Sequence, residues 1–128
     1  MEIEALAKEA VDCGFKLHKE LGPGLLESVY EVLLAAALAE RGLSVARQVP
    51  VPISYKGVIV DNAFRIDLLV ERQLVIELKS TERDNALYPK QLLTYLRLMH
   101  LPLGLLMNFG QETFKQGIQR VVNGHRNP

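Results

Sequence analysis

Residues 65–70 read RIDLLV and residues 74–79 read LVIELK, with a short polar turn between them. Both stretches are rich in branched aliphatic residues, which predicts two antiparallel strands joined by a hairpin. Side chains alternate between the faces of a strand, so Glu77 and Lys79 share one face while the apolar residues beside them point to a core. Pairing across the turn brings Asp67 beside Glu77. The hairpin therefore predicts two carboxylates and an amine on one face of a sheet.

The rest of the chain predicts helices before this hairpin and a helix followed by a strand after it. Apolar residues recur every three or four positions in the predicted helices. Pro50 and Pro52 predict an edge strand, because proline cannot donate to a strand ladder. Asp61-Asn62 predicts a break between two strands. The predicted elements are helices at 2–20 and 25–41, strands at 47–55, 58–60, 63–70 and 74–80, a helix from Pro89 to His100, a strand at 103–109, and a strand or short helix at 114–122.

The order of these elements predicts one α/β domain of the α+β type, with a mixed central sheet flanked by helices. A chain of 128 residues suits a single domain spanning residues 1–128. One cysteine, Cys13, excludes an internal disulfide, and the three histidines lack the spacing of a zinc site. The acidic start Met1-Glu2-Ile3-Glu4 does not resemble a signal peptide, and the sequence has no membrane-spanning apolar run. We expect a cytoplasmic protein.

The charge is balanced overall and divided along the chain. The formal net charge is zero, which counts against strong non-specific binding to nucleic acid. Residues 1–40 hold eight acidic and three basic residues, whereas residues 41–128 hold seven acidic and twelve basic residues. One basic face is compatible with this division. The alternative is that helical surfaces simply happen to be acidic here.

The three charged residues of the hairpin suit the chemistry of phosphoryl transfer. Two close carboxylates repel each other, and a bound cation relieves that repulsion. Oxygen-only ligands favour a hard ion such as Mg²⁺ or Mn²⁺, which polarises a phosphoryl oxygen and acidifies a bound water. A neighbouring lysine stabilises the developing charge. The alternative is that Glu77 and Lys79 form a solvated ion pair contributing about 0–1 kcal/mol, although an unpaired Asp67 in an apolar strand is costly.

The chain resembles the PD-(D/E)XK nuclease superfamily, whose core carries D and E-x-K on adjacent strands. Residues 24–30, GLLESVY, match the G-x-x-E-x-x-Y signature of the GxxExxY family. Residues 91–95, QLLTY, match the Q-x-x-x-Y helix motif of the RecB-like branch. Residues 18–23, 47–50 and 108–110 are similar to the same family. The resemblance covers about residues 5–123 in the family's order.

This resemblance implies a restriction-endonuclease-like core of α-β-β-β-α-β order, and it implies roles for individual residues. The implied metal ligands are Glu27, Asp67, Glu77 and the backbone carbonyl of Leu78, and the implied catalytic residues are Asp67, Glu77, Lys79, Gln91 and Tyr95. Gln91 and Tyr95 are four residues apart on a helix, so both can reach one cleft.

Each of these residues also has a structural alternative. Glu27 lies in a first helical turn, where any acid is favourable by about 0.3–1 kcal/mol. Tyr30 is compatible with a core position, and Gln91 and Tyr95 with an ordinary helix surface. The sequence also departs from the family, because Tyr88 stands where a histidine often precedes the Q-x-x-x-Y helix. A tyrosine therefore takes the place of that histidine in this sequence.

Three functions are compatible with the sequence. The first is a metal-dependent nuclease acting on DNA or RNA, which the intact acid and lysine set favours. The second is a non-catalytic nucleic-acid- or protein-binding module that kept the nuclease fold, which the neutral net charge favours. The third is an oligomeric scaffold, because the apolar face of residues 2–20 has near-heptad spacing and suits a homodimer. That face is equally suited to packing on its own sheet, and we favour this second arrangement.

Overall fold

A computed structural model describes residues 1–125 of the chain. Helices flank one sheet, and the bounds of the helices and strands agree with the predicted ones within about two residues except in the second strand. In chain order the elements are α1 (Ile3–Leu21), α2 (Glu27–Glu40), β1 (Val45–Tyr55), β2 (Val58–Val70), β3 (Leu74–Lys79), α3 (Leu87–Met99), β4 (Leu103–Asn108), α4 (Phe114–Gly117) and β5 (Ile118–Val122).

The sheet has five strands in the order β1-β2-β3-β4-β5. β3 and β4 are parallel and are joined by α3, whereas every other neighbouring pair is antiparallel. Side chains of α1 and α2 form one apolar core with β2, β3 and β4. Side chains of α3 form a second core on the opposite face of the sheet. The predicted mixed sheet flanked by helices is confirmed.

The predicted break at Asp61-Asn62 is wrong, because β2 continues from Val58 to Val70. Asn62 adopts a left-handed φ of 53°, and the pairing of β1 with β2 shifts register between Val51 and Ile53. A β-bulge thus absorbs the polar residues that suggested a turn. The edge position predicted for β1 is confirmed, and residues 114–122 contain both a short helix and a strand.

The apolar face of α1 packs inside its own domain. Leu6, Ala7, Ala10 and Cys13 are buried in the core that α1 shares with α2 and the sheet. This is the arrangement that the sequence favoured for residues 2–20. The apolar face of α1 therefore provides no argument for a homodimer. Among the described residues, no helix combines the length and the apolar character that crossing a membrane requires.

Candidate active site

The hairpin of β2 and β3 brings Asp67 and Glu77 together. The last regular pair of the two strands is Leu68 with Ile76, so Asp67 and Glu77 occupy the next position. There a side chain replaces the backbone partner, because the Asp67 backbone N–H donates to Glu77 Oε1 at 2.9 Å. The Leu78 backbone N–H donates to Asp67 Oδ2 at 2.8 Å. Each carboxylate therefore accepts a hydrogen bond from a backbone N–H of the opposite strand, at the point where the strands separate.

The strands separate at the point where β1 and β2 both change the face that they bury. Ile66 packs in the core beneath α3, whereas Leu68 packs in the core beneath α1 and α2. Residues two apart in a regular strand share one face, so the chain rotates about Asp67. On β1, Val45 and Val49 divide between the two cores in the same way. This local rotation turns Asp67 away from the regular pattern of its strand.

Burial controls the electrostatics of the two carboxylates. Glu77 is only 7% exposed. Its loss of solvation, followed by the negative charge of Asp67, raises the pKa of Glu77 to about 8. Desolvation also raises the pKa of Asp67, with the charge of Glu31 adding to the effect and the Leu78 backbone N–H opposing it. The site thus holds two neighbouring carboxyl groups in surroundings where desolvation makes a negative charge unfavourable.

Lys79 points to the α3 side of the sheet and is partly buried. Its Nζ lies 4.4 Å from the centre of the Tyr88 ring, a cation–π contact with the residue that stands in the histidine position. The ion pairs among residues 1–125 do not include Lys79. The alternative of a solvated Glu77–Lys79 ion pair is therefore wrong, because Glu77 is buried and the amine contacts an aromatic ring.

The two residues of the Q-x-x-x-Y motif lie on α3 and differ in their surroundings. Tyr95 stacks on Phe64 of β2, with ring centres 4.1 Å apart. Burial raises the pKa of Tyr95, and the charges of Glu77 and Asp67 raise it further, which places this phenol near the carboxylates. Gln91 lies one turn earlier on α3 and is exposed. The structure gives Gln91 no hydrogen bond to the site within the described part of the chain.

Helix α2, which packs on the face of the sheet opposite to α3, supplies further acidic side chains. Glu27 is in its first turn and is mostly exposed. Partial burial raises the pKa of Glu27, while the charge of Lys79 lowers it. Glu31, one helical turn later, is only 5% exposed. A cleft of about 360 Å³ opens between α2 and the strands. Its lining is Glu27, Ser28, Glu31, Arg47, Gln48 and Asp67.

Glu31, Arg47 and Gln48 were not among the predicted site residues. Arg47 donates to Glu31 Oε2 from Nε at 3.3 Å and from Nη2 at 3.0 Å. Gln48 Nε2 lies 2.5 Å from Glu31 Oε1 and 3.2 Å from Asp67 Oδ1. The spacing of four residues between Glu27 and Glu31 was the available signal, because it puts both acids on one helix face.

Tyr30, the last residue of the G-x-x-E-x-x-Y signature, is a core residue. Its side chain is fully buried and stacks on Phe109, with ring centres 4.5 Å apart. The Tyr30 hydroxyl donates to the Gly22 carbonyl at 2.6 Å and accepts from the Leu25 backbone N–H at 3.2 Å. Gly24 has a φ of 108°, which only glycine adopts readily. The tyrosine and the glycine therefore hold the turn that leads α2 and Glu27 to the site.

Replacing Tyr30 with phenylalanine removes both hydrogen bonds and leaves the Leu25 N–H and Gly22 carbonyl without this partner. We expect the free energy of unfolding to fall by about 1–2 kcal/mol. Urea unfolding of Tyr30→Phe measures the effect. Tyr55→Phe is the matched control. Tyr55 is 68% exposed, so the loss of its hydroxyl should change the free energy of unfolding little. Equal effects of the two substitutions would contradict the prediction.

Hydrogen bonds of Asn108 shape the segment that follows Lys79. Asn108, at the end of β4, is 2% exposed. Its Oδ1 accepts from the backbone N–H groups of Thr81 and Gly110, both at 3.0 Å. Its Nδ2 donates to Thr81 Oγ1 at 3.1 Å and to Asp84 Oδ1 at 3.2 Å. Asn108 thus satisfies the backbone where β3 ends, beside the site.

The acidic side chains suit a hard cation in their chemistry. All the candidate donors are oxygen atoms, and the raised pKa values of Asp67 and Glu77 reflect a burial that a bound cation would compensate. Within residues 1–125, however, no three His, Cys, Asp or Glu side chains are gathered in an arrangement that could hold a metal ion. The donor set therefore fits the ion by charge and atom type, while Asp67 and Glu77 accept backbone N–H donors.

Comparison with known proteins supports the fold. The crystal structure of SSO0001 is similar, with a TM-score of 0.55 and 19% sequence identity over 78% of this chain. The similar region makes up 52% of SSO0001, so this chain spans about half the length of that protein. No curated protein matches the chain. The family model of the PD-(D/E)XK nuclease superfamily matches residues 4–121. The chain therefore belongs to the PD-(D/E)XK nuclease superfamily.

Proposed function

We propose that this chain is a divalent-metal-dependent nuclease that hydrolyses phosphodiester bonds in DNA or RNA. The observation that carries the proposal is Glu77, a carboxylate buried beside the carboxylate of Asp67 with its pKa raised to about 8. Burying two neighbouring acids destabilises a fold, so their presence favours a role that needs them. Enzymes of this superfamily generally use divalent metals.

In this proposal the acids bind Mg²⁺ or Mn²⁺, and Lys79 acts on the substrate. Bound to Asp67, Glu77, the Leu78 carbonyl and Glu27, the ion would polarise a phosphoryl oxygen and lower the pKa of a bound water. Lys79 would stabilise the negative charge that develops on the phosphate, from a site shielded on one side by Tyr88. The Q-x-x-x-Y residues of α3, Gln91 and Tyr95, would contact the substrate or orient the lysine.

We place the chain within the superfamily in the GxxExxY family and the RecB-like branch, a finer assignment that rests on the sequence motifs. Residues 24–30 supply the G-x-x-E-x-x-Y signature, and the contacts of Tyr30 give its tyrosine a structural purpose. Residues 91–95 supply Q-x-x-x-Y on the helix that packs over the site face. A nuclease substrate of DNA or RNA follows from this assignment.

A non-catalytic nucleic-acid- or protein-binding module is the second candidate. The geometry offers one observation for it, because each of the two central carboxylates already accepts a backbone N–H of the opposite strand. The zero net charge points the same way. The two functions differ in whether a divalent cation binds, so metal titration separates them.

Oligomeric state and location remain predictions. A homodimer would elute at twice the mass of 14.4 kDa in size-exclusion chromatography with light scattering. In a monomer, one chain would form the whole site. The expected cytoplasmic location rests on the single cysteine, Cys13.

The proposal is tested by calorimetric titration with Mn²⁺ and Mg²⁺ together with cleavage assays on single- and double-stranded DNA and RNA. We expect Glu77→Gln to abolish metal binding and to lower cleavage by at least about 100-fold, because it removes a charge that the cation requires. Glu112→Gln is the matched control, since Glu112 is an exposed acid that has no part in the proposed site. Cleavage that persists in Glu77→Gln, or a wild type that binds no divalent metal, would refute the proposed mechanism.

A further inference from the structure

The side of the site formed by α2 and β1 contains a buried acid that no step of the proposed chemistry uses. Glu31 is 5% exposed and lies in α2, one turn beyond Glu27. Both of its oxygens are engaged by consecutive residues of β1. Arg47 donates twice to Oε2, and Gln48 donates to Oε1 at 2.5 Å. A buried carboxylate so fully hydrogen-bonded has a fixed position.

Gln48 connects this buried acid to Asp67. Its side-chain amide nitrogen lies 2.5 Å from Glu31 Oε1 and 3.2 Å from Asp67 Oδ1. An amide nitrogen carries two hydrogens, so one is available for each carboxylate. The amide oxygen would be repelled by both acids, which determines the orientation of the side chain. Gln48 thus joins two groups that repel each other.

The backbone conformation of Gln48 also indicates that its neighbours hold this residue in place. Gln48 has a φ of 50°, in the left-handed region that residues with a Cβ rarely adopt. It lies opposite Asp67, where β1 and β2 both change the face that they bury. Unfavourable backbone of this kind persists only where surrounding contacts determine it, and it is concentrated at functional sites.

Together these contacts determine the direction of the Asp67 carboxylate. Its Oδ1 accepts from Gln48, and its Oδ2 accepts from the Leu78 backbone N–H. We infer that Gln48 and Glu31 are positioning residues, which hold the Asp67 carboxylate in the orientation that a divalent cation requires. Arg47 compensates the charge of Glu31, so that Glu31 serves as an anchor for Gln48. This inference rests on the proposed metal-dependent function.

The same contacts would also tie α2 to β1 in a protein without a metal, so the test must separate positioning from stability. Hydrogen-bonded partners of metal ligands contribute to affinity, and their loss costs about 10- to 100-fold. Gln48→Met keeps the length of the side chain and removes both hydrogen bonds. Gln119→Met is the matched control, because Gln119 is also an exposed strand residue. Glu31→Gln is the second variant, since it keeps the shape of the anchor and removes its charge.

We measure the Mn²⁺ dissociation constant by calorimetry and the melting temperature of the metal-free protein for each variant. Gln48→Met is expected to weaken Mn²⁺ binding by about 10- to 100-fold, and Glu31→Gln by about 10-fold, while Gln119→Met binds like the wild type. A lower melting temperature of metal-free Gln48→Met is expected, because buried Glu31 loses a hydrogen-bond donor, and if it occurs without a change in Mn²⁺ affinity the contacts serve stability alone. Unchanged Mn²⁺ affinity in Gln48→Met would overturn this inference alone. A wild type that binds no Mn²⁺ would overturn it together with the proposed function.

Discussion

Replacing Lys79 with methionine is expected to lower phosphodiester cleavage by at least about 100-fold and to leave Mn²⁺ binding intact. Methionine keeps an unbranched side chain of similar length beside the Tyr88 ring, and it removes the charged amine. An ammonium group has no lone pair to offer a divalent metal, so the substitution removes none of the oxygen ligands that would bind the ion. The expected result is an enzyme that binds the metal and turns over poorly.

The size of this effect follows from the surroundings of the amine. Lys79 is partly buried, and its Nζ lies 4.4 Å from the centre of the Tyr88 ring. In such a position a charge acts more strongly on a developing negative charge than it does in water. The charge of Lys79 also lowers the pKa values of Glu27, Asp67 and Glu77, which places it within electrostatic reach of all three acids.

The measurement combines single-turnover cleavage with Mn²⁺ calorimetry on the same preparations. Lys90→Met is the matched control, because Lys90 is an exposed residue of α3. We expect that control to cleave at the wild-type rate. Cleavage by Lys79→Met at the wild-type rate would exclude a catalytic lysine, and a loss of Mn²⁺ binding would show that the amine acts on the acids instead of the substrate.

In the absence of divalent cations, the free energy of unfolding is expected to fall as the pH rises from about 4.5 to about 8. Folded Glu77 has a pKa of about 8, against an ordinary value of 4.5. Between these values the folded protein keeps a proton that the unfolded chain has lost, so each rise in pH favours the unfolded chain. The raised pKa of Asp67 acts in the same direction. We expect a loss on the order of 3 kcal/mol over this range.

Glu4 acts in the opposite direction and outside this range. Hydrogen bonds from Arg120 and His125 lower the pKa of Glu4 from 4.5 to about 2. Its contribution is complete above about pH 4.5 and is lost as the pH falls towards 2. Glu4 therefore does not contribute to the expected decline between pH 4.5 and 8.

Urea unfolding in EDTA at several pH values tests this expectation. Glu77→Gln should be more stable than the wild type at pH 8 and nearly equal to it at pH 4.5, because the amide is neutral at both. Glu112→Gln should follow the wild type at every pH. A divalent cation added at pH 8 should restore stability to the wild type and not to Glu77→Gln. A decline of equal steepness in Glu77→Gln would show that other groups cause it.

The local elements were largely predictable from the residues. Alternation of side chains placed Glu77 and Lys79 on one face, and the short turn placed Asp67 beside Glu77, both as the structure has them. The same reasoning failed at Asp61-Asn62. Polar residues suggested the end of a strand there, whereas the register shift with β1 keeps β2 continuous. A bulge depends on the partner strand, which local sequence does not specify.

Other features of the site depended on contacts between distant residues. Glu31 and Gln48 are 17 residues apart, and their hydrogen bond forms only because α2 packs over the start of β1. The left-handed backbone at Gln48 carried no sequence signal, since glutamine is not a residue that favours it. The sequence was compatible with a core position for Tyr30, and the full burial of its side chain confirms that position.

By itself the sequence determined most of the elements, their order and the face on which Glu77 and Lys79 lie, because strand and helix periods are local properties of the backbone. Tertiary structure alone decided how deeply Glu77 is buried and which donors its neighbours accept. Burial and hydrogen bonding set the pKa of a carboxylate, and both are properties of the assembled sheet and its covering helices. The chemistry of the acids was therefore fixed only when β1, β2, β3 and α2 came together.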